Sequence, residues 1–177
     1  MPTLKNPPKL EDFSQFDIKN LMAVPKIVKV VVNMGIGELA RNKESLEKTI
    51  SELSLITGRK PSVRLAKVSV AGFNLRKGMP VGLKVTLRGK AAYNFLDKMI
   101  SIVFPRIRDF RGLSLESFDH KGNYTIGISD HTVFPEVDIT KIDKPKGLEI
   151  TVVTNSKNFN IAKELLTKIG LPFEKES

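Results

Sequence analysis

Residues 81–88, VGLKVTLR, sort their side chains by parity. Val81, Leu83, Val85 and Leu87 are apolar, whereas Gly82, Lys84, Thr86 and Arg88 are small, cationic or hydroxylated. Successive side chains on a strand point to opposite faces, so the octapeptide predicts a strand with one apolar face and one face bearing two cations and a hydroxyl. Two other stretches repeat the pattern. In KIVKVVVNM, residues 26–34, Val28, Val30, Val32 and Met34 share one face and Ile27, Lys29, Val31 and Asn33 the other. In LEITVVT, residues 148–154, Leu148, Ile150 and Val152 oppose Glu149, Thr151 and Val153.

Strands with one apolar face need cover, since burying a Leu or Ile is worth ~1.5–3 kcal/mol. Helices with apolar stripes are at hand. Asn42 can cap a helix whose stripe is Leu46, Ile50, Leu53 and Ile56, with Gly58 at the C′ position. Lys90 to Val103 carries Ala92, Leu96, Met99 and Val103 on one side, and Pro105 is expected to stop it. Asn158 to Ile169 is a third helix, closed by Gly170 and Pro172. A weaker helix is expected from Asp12 to Met22, and ESFDHKGNYTIGI reads as a hairpin turning at residues 120–123. Strands and helices do not alternate strictly, so the fold class is α+β with a largely antiparallel sheet, helices on one face and the other face open. The 177 residues are expected to form a single domain, 1–177, with a loose proline-rich arm at 1–9.

The open face then presents Lys29, Asn33, Lys84, Thr86 and Arg88, a set suited to a phosphate–sugar backbone and the RNA 2′-OH. Charge supports this reading. The net charge is +10, and no acidic residue lies between Glu52 and Asp97. That interval holds Arg59, Lys60, Arg64, Lys67, Arg76, Lys77, Lys84, Arg88 and Lys90, which point to a polyanionic partner.

The chain offers little else. No apolar stretch approaches the roughly 18 residues of a membrane span, and the first residues lack a signal-peptide core, so an intracellular, cytoplasmic protein without a membrane partner is expected. There is no cysteine and there are only two histidines, in Asp119-His120 and Asp130-His131. No ligand cluster accompanies them; surface or turn histidines, and no metal, are expected. The phenylalanines, Phe73 and Phe118 among them, lack the spacing of a base-stacking platform and read mostly as core. No nucleophile motif is present, so no catalysis and no cofactor are expected.

One motif competes. GIGELA, residues 35–40, fits the dinucleotide pattern G-x-G-x-x-[G/A] through Gly35, Gly37 and Ala40. A dinucleotide site needs a helix opening on that loop and an acid about 20 residues on. Here the cap is Asn42, and the neighbourhood ITGRKPSVRL holds no acid. The glycines serve equally for close approach to a polynucleotide's phosphates. A nucleotide-binding enzyme and a basic DNA-binding structural protein are the alternatives to an RNA-binding one.

Longer blocks carry a resemblance. VPKIVKVVVNMGIGE, TGRKPSVRLAKVSVAGFNLRKGMPVGLKVTLRG, FPRIRDFRGLSLESFDHKGNYTIGI, FPEVD and GLEITVVT, in this order, resemble the bacterial large-subunit ribosomal protein family numbered fifth in the L series, over about Val24 to Phe173. The resemblance implies a concave antiparallel sheet with helices packed on its convex face, bound to 5S rRNA in the central protuberance. It implies as partners large-subunit rRNA, other large-subunit proteins, P-site tRNA and a small-subunit protein across an intersubunit bridge. Family contacts to 5S rRNA fall on Asn33, Thr86 and position 59, where Arg59 replaces the family's glutamine. With the open face and glycine loop, the expected rRNA-binding set is Lys29, Asn33, Met34, Gly35, Gly37, Arg59, Lys60, Lys84, Thr86 and Arg88. The implied tRNA loop comprises Gly72, Phe73, Asn74, Arg76, Lys77, Gly78 and Met79.

Overall fold

Five strands form one open, antiparallel sheet in the order β2-β3-β1-β5-β4: β1 is Ile27–Gly35, β2 Ser62–Leu65, β3 Pro80–Leu87, β4 Tyr124–Ile128 and β5 Leu148–Thr154. The helices are α1 (Lys43–Thr57), α2 (Lys90–Lys98), the single turn α3 (Phe104–Arg106) and α4 (Phe159–Ile169). The structure, a computed structural model, describes residues 20–37, 42–138, 144–156 and 158–174. The arm at 1–9, most of the Asp12–Met22 helix and Ala40 lie outside them. The fold is α+β, as the pattern predicts.

By compactness the chain divides into two units. The first takes the described residues up to Val30, Leu87–Ile126 and those from Thr151 onward. Its buried set includes Val30, Phe95, Leu96, Met99, Val103, Ile126, Val152, Leu165 and Leu166. Parity fails at the start of β1: Ile27 is buried and Val28 exposed, the reverse of expectation. Val28 and Lys29 both stay out of the core in succession, and this irregular step shifts the alternation by one before Val30. The second helix also differs. α2 widens into a π turn at Met99–Val103, with the Phe104 N–H donating to the Met99 carbonyl, and runs on through Pro105 to Arg106. A ladder already shifted to i−5 spacing needs no ordinary helical bond from the proline, so the helix ends at Arg106, three residues later than the expected Val103.

The hairpin turn is held by one side chain. Asp119 Oδ1 accepts from the backbone N–H of Lys121 at 2.8 Å and of Asn123 at 2.7 Å, and Oδ2 accepts from Asn123 Nδ2 at 2.7 Å. Burial nudges the Asp119 carboxyl upward, but these donors outweigh it and hold the carboxyl below its ordinary range. Beside the turn, Phe118, Tyr124, Phe159 and Phe173 form a ring cluster with centroids 4.6–5.8 Å apart. It gathers phenylalanines that are scattered in sequence.

The second unit takes Val31–Thr86 and Gly127–Ile150. Val32, Met34, Leu83, Val85, Leu148 and Ile150 are buried as their registers predict. Asn42 caps α1 by accepting from the Glu44 N–H at 3.0 Å, and Gly58 ends it at φ 66°, where a side chain would be strained. The stripe of α1 is rotated from expectation. Leu46 and Ile50 are half-buried, while Thr49 is fully buried, its hydroxyl donating to Ser45 O at 2.7 Å.

Thr49 is buried because it belongs to a polar cluster. Lys146 Nζ donates to Thr49 Oγ1 at 3.0 Å and to Glu52 Oε2 at 2.6 Å. His131 opens a 3-10 turn, one of the two places expected for it, but it is fully buried beside them and not on the surface. Its Nδ1 accepts from the Lys146 N–H at 3.1 Å, which requires the proton on Nε2, and Nε2 lies 3.5 Å from Glu52 Oε2. Burial pushes the imidazole pKa below its ordinary value; Glu52 pulls it up, Lys146 down and Asp130 up. His120, by contrast, is exposed.

Candidate nucleic-acid interface

The site rises from the strand registers of the second unit. Because Leu83 and Val85 are buried, Lys84 and Thr86 stand on the other face, half-buried. Met34 and Val32 are buried on β1, so Asn33 is exposed between them. Met34 itself, expected among the RNA-contacting residues, keeps only 1% of its surface and has its side chain in the core, as its parity demands. Gly35 ends β1 exposed, and Gly37 follows at φ 45°, a left-handed turn that a side chain would strain. A Cβ at either glycine would meet no atom within 4 Å, so the backbone there stands open.

Arg59 and Lys60 are exposed directly beyond the Gly58 cap, and the Thr57 hydroxyl donates to Arg59 O at 3.0 Å. The remaining two cations of the expected set belong to the first unit: Lys29 is half-buried and Arg88 exposed. Of the nine cations between Glu52 and Asp97, Lys84 is half-buried and the other eight are exposed.

Two residues of this face escaped the sequence reading. β2 pairs antiparallel with β3, matching Ser62 to Lys84 and Arg64 to Gly82. Directly paired residues share a face, so Arg64 joins Lys84 on the open side while Val63 and Leu83 lie opposite. β2 is four residues long and follows Pro61, which hid it, although SVRL does alternate. The other is Glu149, exposed on β5, whose Oε2 accepts from Asn33 Nδ2 at 3.3 Å. Its parity in LEITVVT already placed it opposite the core, but its charge gave no reason to count it in.

Between β2 and β3 the chain extends as a basic hairpin. Ala66 N–H donates to Met79 O at 2.8 Å, Gly78 N–H to Ala66 O at 2.9 Å, and Val70 and Leu75 exchange bonds of 3.0 and 3.1 Å. Lys77 N–H donates to Ser69 Oγ at 2.9 Å and Arg76 N–H to Met79 Sδ at 3.2 Å. Asn74 at φ 50° and Gly78 at φ 90° make the reversals. Gly72, Phe73, Asn74, Arg76, Lys77 and Gly78 are exposed and Met79 half-buried. Phe73 keeps 75% of its surface, so it is not core. The hairpin thus offers cations and an aromatic ring on a frame built from backbone bonds.

No other chemistry gathers here. Among the described residues, no group of three or more His, Cys, Asp or Glu is placed to hold a metal ion, and no helix is long and apolar enough to cross a membrane. α1, the α-helix that follows the glycine loop in sequence, begins at Lys43 with Asn42 as its cap.

Comparison with family models decides the affiliation. Residues 20–76 match the model described as ribosomal protein L5, and residues 80–173 match the model of that ribosomal family's C-terminus. The chain belongs to the ribosomal protein L5 family. As an L5 family member it is a structural, RNA-binding protein of the large ribosomal subunit and part of a ribonucleoprotein. The family is structural and non-catalytic. In this L5 family member the two matched segments meet within the basic hairpin, between positions 76 and 80.

Proposed function

We propose that the chain binds 5S rRNA through the face of the second unit bearing Asn33, Lys84, Thr86 and Arg64, with Gly35, Gly37, Arg59 and Lys60 beside it; Lys29 and Arg88 are separate rRNA contacts of the first unit. The observation that carries this reading is register: burial of Leu83 and Val85 turns Lys84 and Thr86 outward on a strand, while the same tract holds no carboxylate. Side chains held on strands meet a sugar–phosphate backbone in fixed positions at little entropic cost. The hairpin carrying Phe73, Arg76 and Lys77 contacts P-site tRNA, and a further surface bridges to a small-subunit protein. The protein acts in the cytoplasm, within the ribosome, and neither reaction nor cofactor is assigned.

Thr86→Val tests the assignment because it preserves shape and removes one hydroxyl. An RNA group left unpaired costs roughly 1–3 kcal/mol, so affinity for isolated 5S rRNA falls about tenfold or more. The double variant Arg76→Ala/Lys77→Ala keeps most 5S affinity and loses tRNA retention on assembled ribosomes. The reverse outcome, a hairpin variant that loses 5S rRNA and a Thr86→Val that keeps it, exchanges the two surfaces and sinks the proposal.

A further inference from the structure

On the open face of the second unit lies a groove of about 530 Å³, and the function above uses only its Asn33 and Gly35 margin and leaves Glu149 without a role. Asn33, Glu149 and Ser129 supply its polar groups, and Gly35, Gly127 and Gly147 its bare stretches. β1, β5 and β4 are consecutive in the sheet, so Glu149 on β5 stands between Asn33 on β1 and the side-chain-free Gly127 on β4. A Cβ at Gly35 or Gly127 would meet nothing within 4 Å. The groove is therefore open because side chains are missing, and part of its lining is peptide backbone on which a flat ring can lie.

The carboxylate is the informative group. Glu149 is exposed on a face otherwise furnished with cations, amides and hydroxyls, where a negative charge repels phosphate. It fits an RNA partner only by meeting a donor, and RNA offers donors on base edges and at the 2′-OH. Asn33 Nδ2, donating to Oε2 at 3.3 Å, engages one side of the carboxylate. An ionised carboxylate accepts at about four lone-pair positions, so it remains able to take two parallel N–H bonds. Among the four bases only guanine presents an imino and an amino N–H side by side on its Watson–Crick edge; cytosine and adenine present one amino group and uracil one imino group. A volume of this size lies within the roughly 300–1,000 Å³ of small-molecule sites and admits one base with its ribose.

We propose that this groove receives one unpaired guanine of the bound RNA, with Glu149 accepting from its N1–H and N2–H and Asn33 holding the carboxylate in place. The proposal rests on the reading of this face as an RNA surface. Glu149 thereby sets specificity, while the surrounding cations set affinity.

The experiment uses the full chain and heptauridylate carrying one central guanosine, inosine or 2′-deoxyguanosine, followed by fluorescence anisotropy at low salt. Inosine lacks the N2 amino group, and losing one bond to a charged acceptor weakens binding about tenfold. The deoxy probe binds like guanosine. Glu149→Gln, at an exposed position and checked for an unchanged urea midpoint, brings the guanosine-to-inosine ratio to near unity. Equal affinity for guanosine and inosine in the unaltered chain, or a preference that survives Glu149→Gln, overturns the proposal. Loss on removing the 2′-OH with no loss on removing N2 also overturns it, assigning Glu149 to ribose. If plain heptauridylate binds in a salt-dependent way while guanine is not preferred, only the groove proposal fails. If no probe binds at all, the RNA-surface reading falls with it.

Discussion

Two loops of the second unit are secured in opposite ways. The chain around His131 and Lys146 is fastened by buried side chains: Lys146 reaches Thr49 and Glu52 on α1, and His131 accepts from the Lys146 backbone. The hairpin at 66–79 is fastened by backbone bonds and two side-chain acceptors, and most of its own side chains face outward. In the first loop the side chains are committed to stability. In the second they are left for a partner. Ionic chemistry in this unit therefore divides by burial, with the enclosed charges holding the fold and the solvated ones facing outward.

The largest effect expected from breaking this contrast is at Lys146, whose side chain keeps 6% of its surface beside a Glu52 side chain that keeps 17%. Lys146→Met strands a mostly buried carboxylate and should lower stability by about 3 kcal/mol or more, measured by urea denaturation. Adding Glu52→Gln to that variant should recover part of the loss.

Acid should attack the same cluster next. The folded-state pKa of His131 lies below its unfolded value, so the unfolded chain binds the extra proton first. Stability is then full above about pH 6.5 and declines as pH falls below that value towards the lower pKa of the folded state. Thermal melts of the unaltered chain across that window should show the decline, and His131→Gln should flatten it. A decline of equal slope in the variant would show that another group titrates.

A smaller effect is expected in the hairpin. Gly78→Ala imposes a left-handed strain of roughly 1–2 kcal/mol. That strain should appear as faster amide exchange at Ala66 and at position 78, with α1 unchanged. The smallest is Arg76→Ala/Lys77→Ala, which should alter global stability by no more than about 0.5 kcal/mol, as for exposed residues generally. A large loss there would erase the distinction between the two loops.

Much of this was readable from the sequence, and the reasons are local. β3, β5 and the caps at Asn42, Gly58 and Gly170 follow from parity and from residues with one dominant conformational use. The misreadings needed tertiary knowledge. Ile27 is buried because β1 slips by one at its start, and nothing in a run of valines marks the slip. His131 is buried among partners distant in sequence: Lys146 lies 15 residues after it, and Glu52 lies before it, 94 residues from Lys146. On the candidate face, Lys84 and Thr86 were legible from register, whereas Arg64 required the β2–β3 pairing and Glu149 the cross-strand bond from Asn33.

The shortness of β2 has a consequence for the protein before it meets RNA. β2 is an edge strand, and an edge offers unpaired N–H and C=O groups to any passing strand, including that of another copy. Leu65, Val68 and Val70, all exposed, would make such pairing sticky. The register shift between Arg64 and Leu65 interrupts the edge after three pairs, and Arg64 and Lys67 put like charges where two copies would meet. The cations that suit this surface to a polyanion thus also discourage it from templating fibrils while it waits for one.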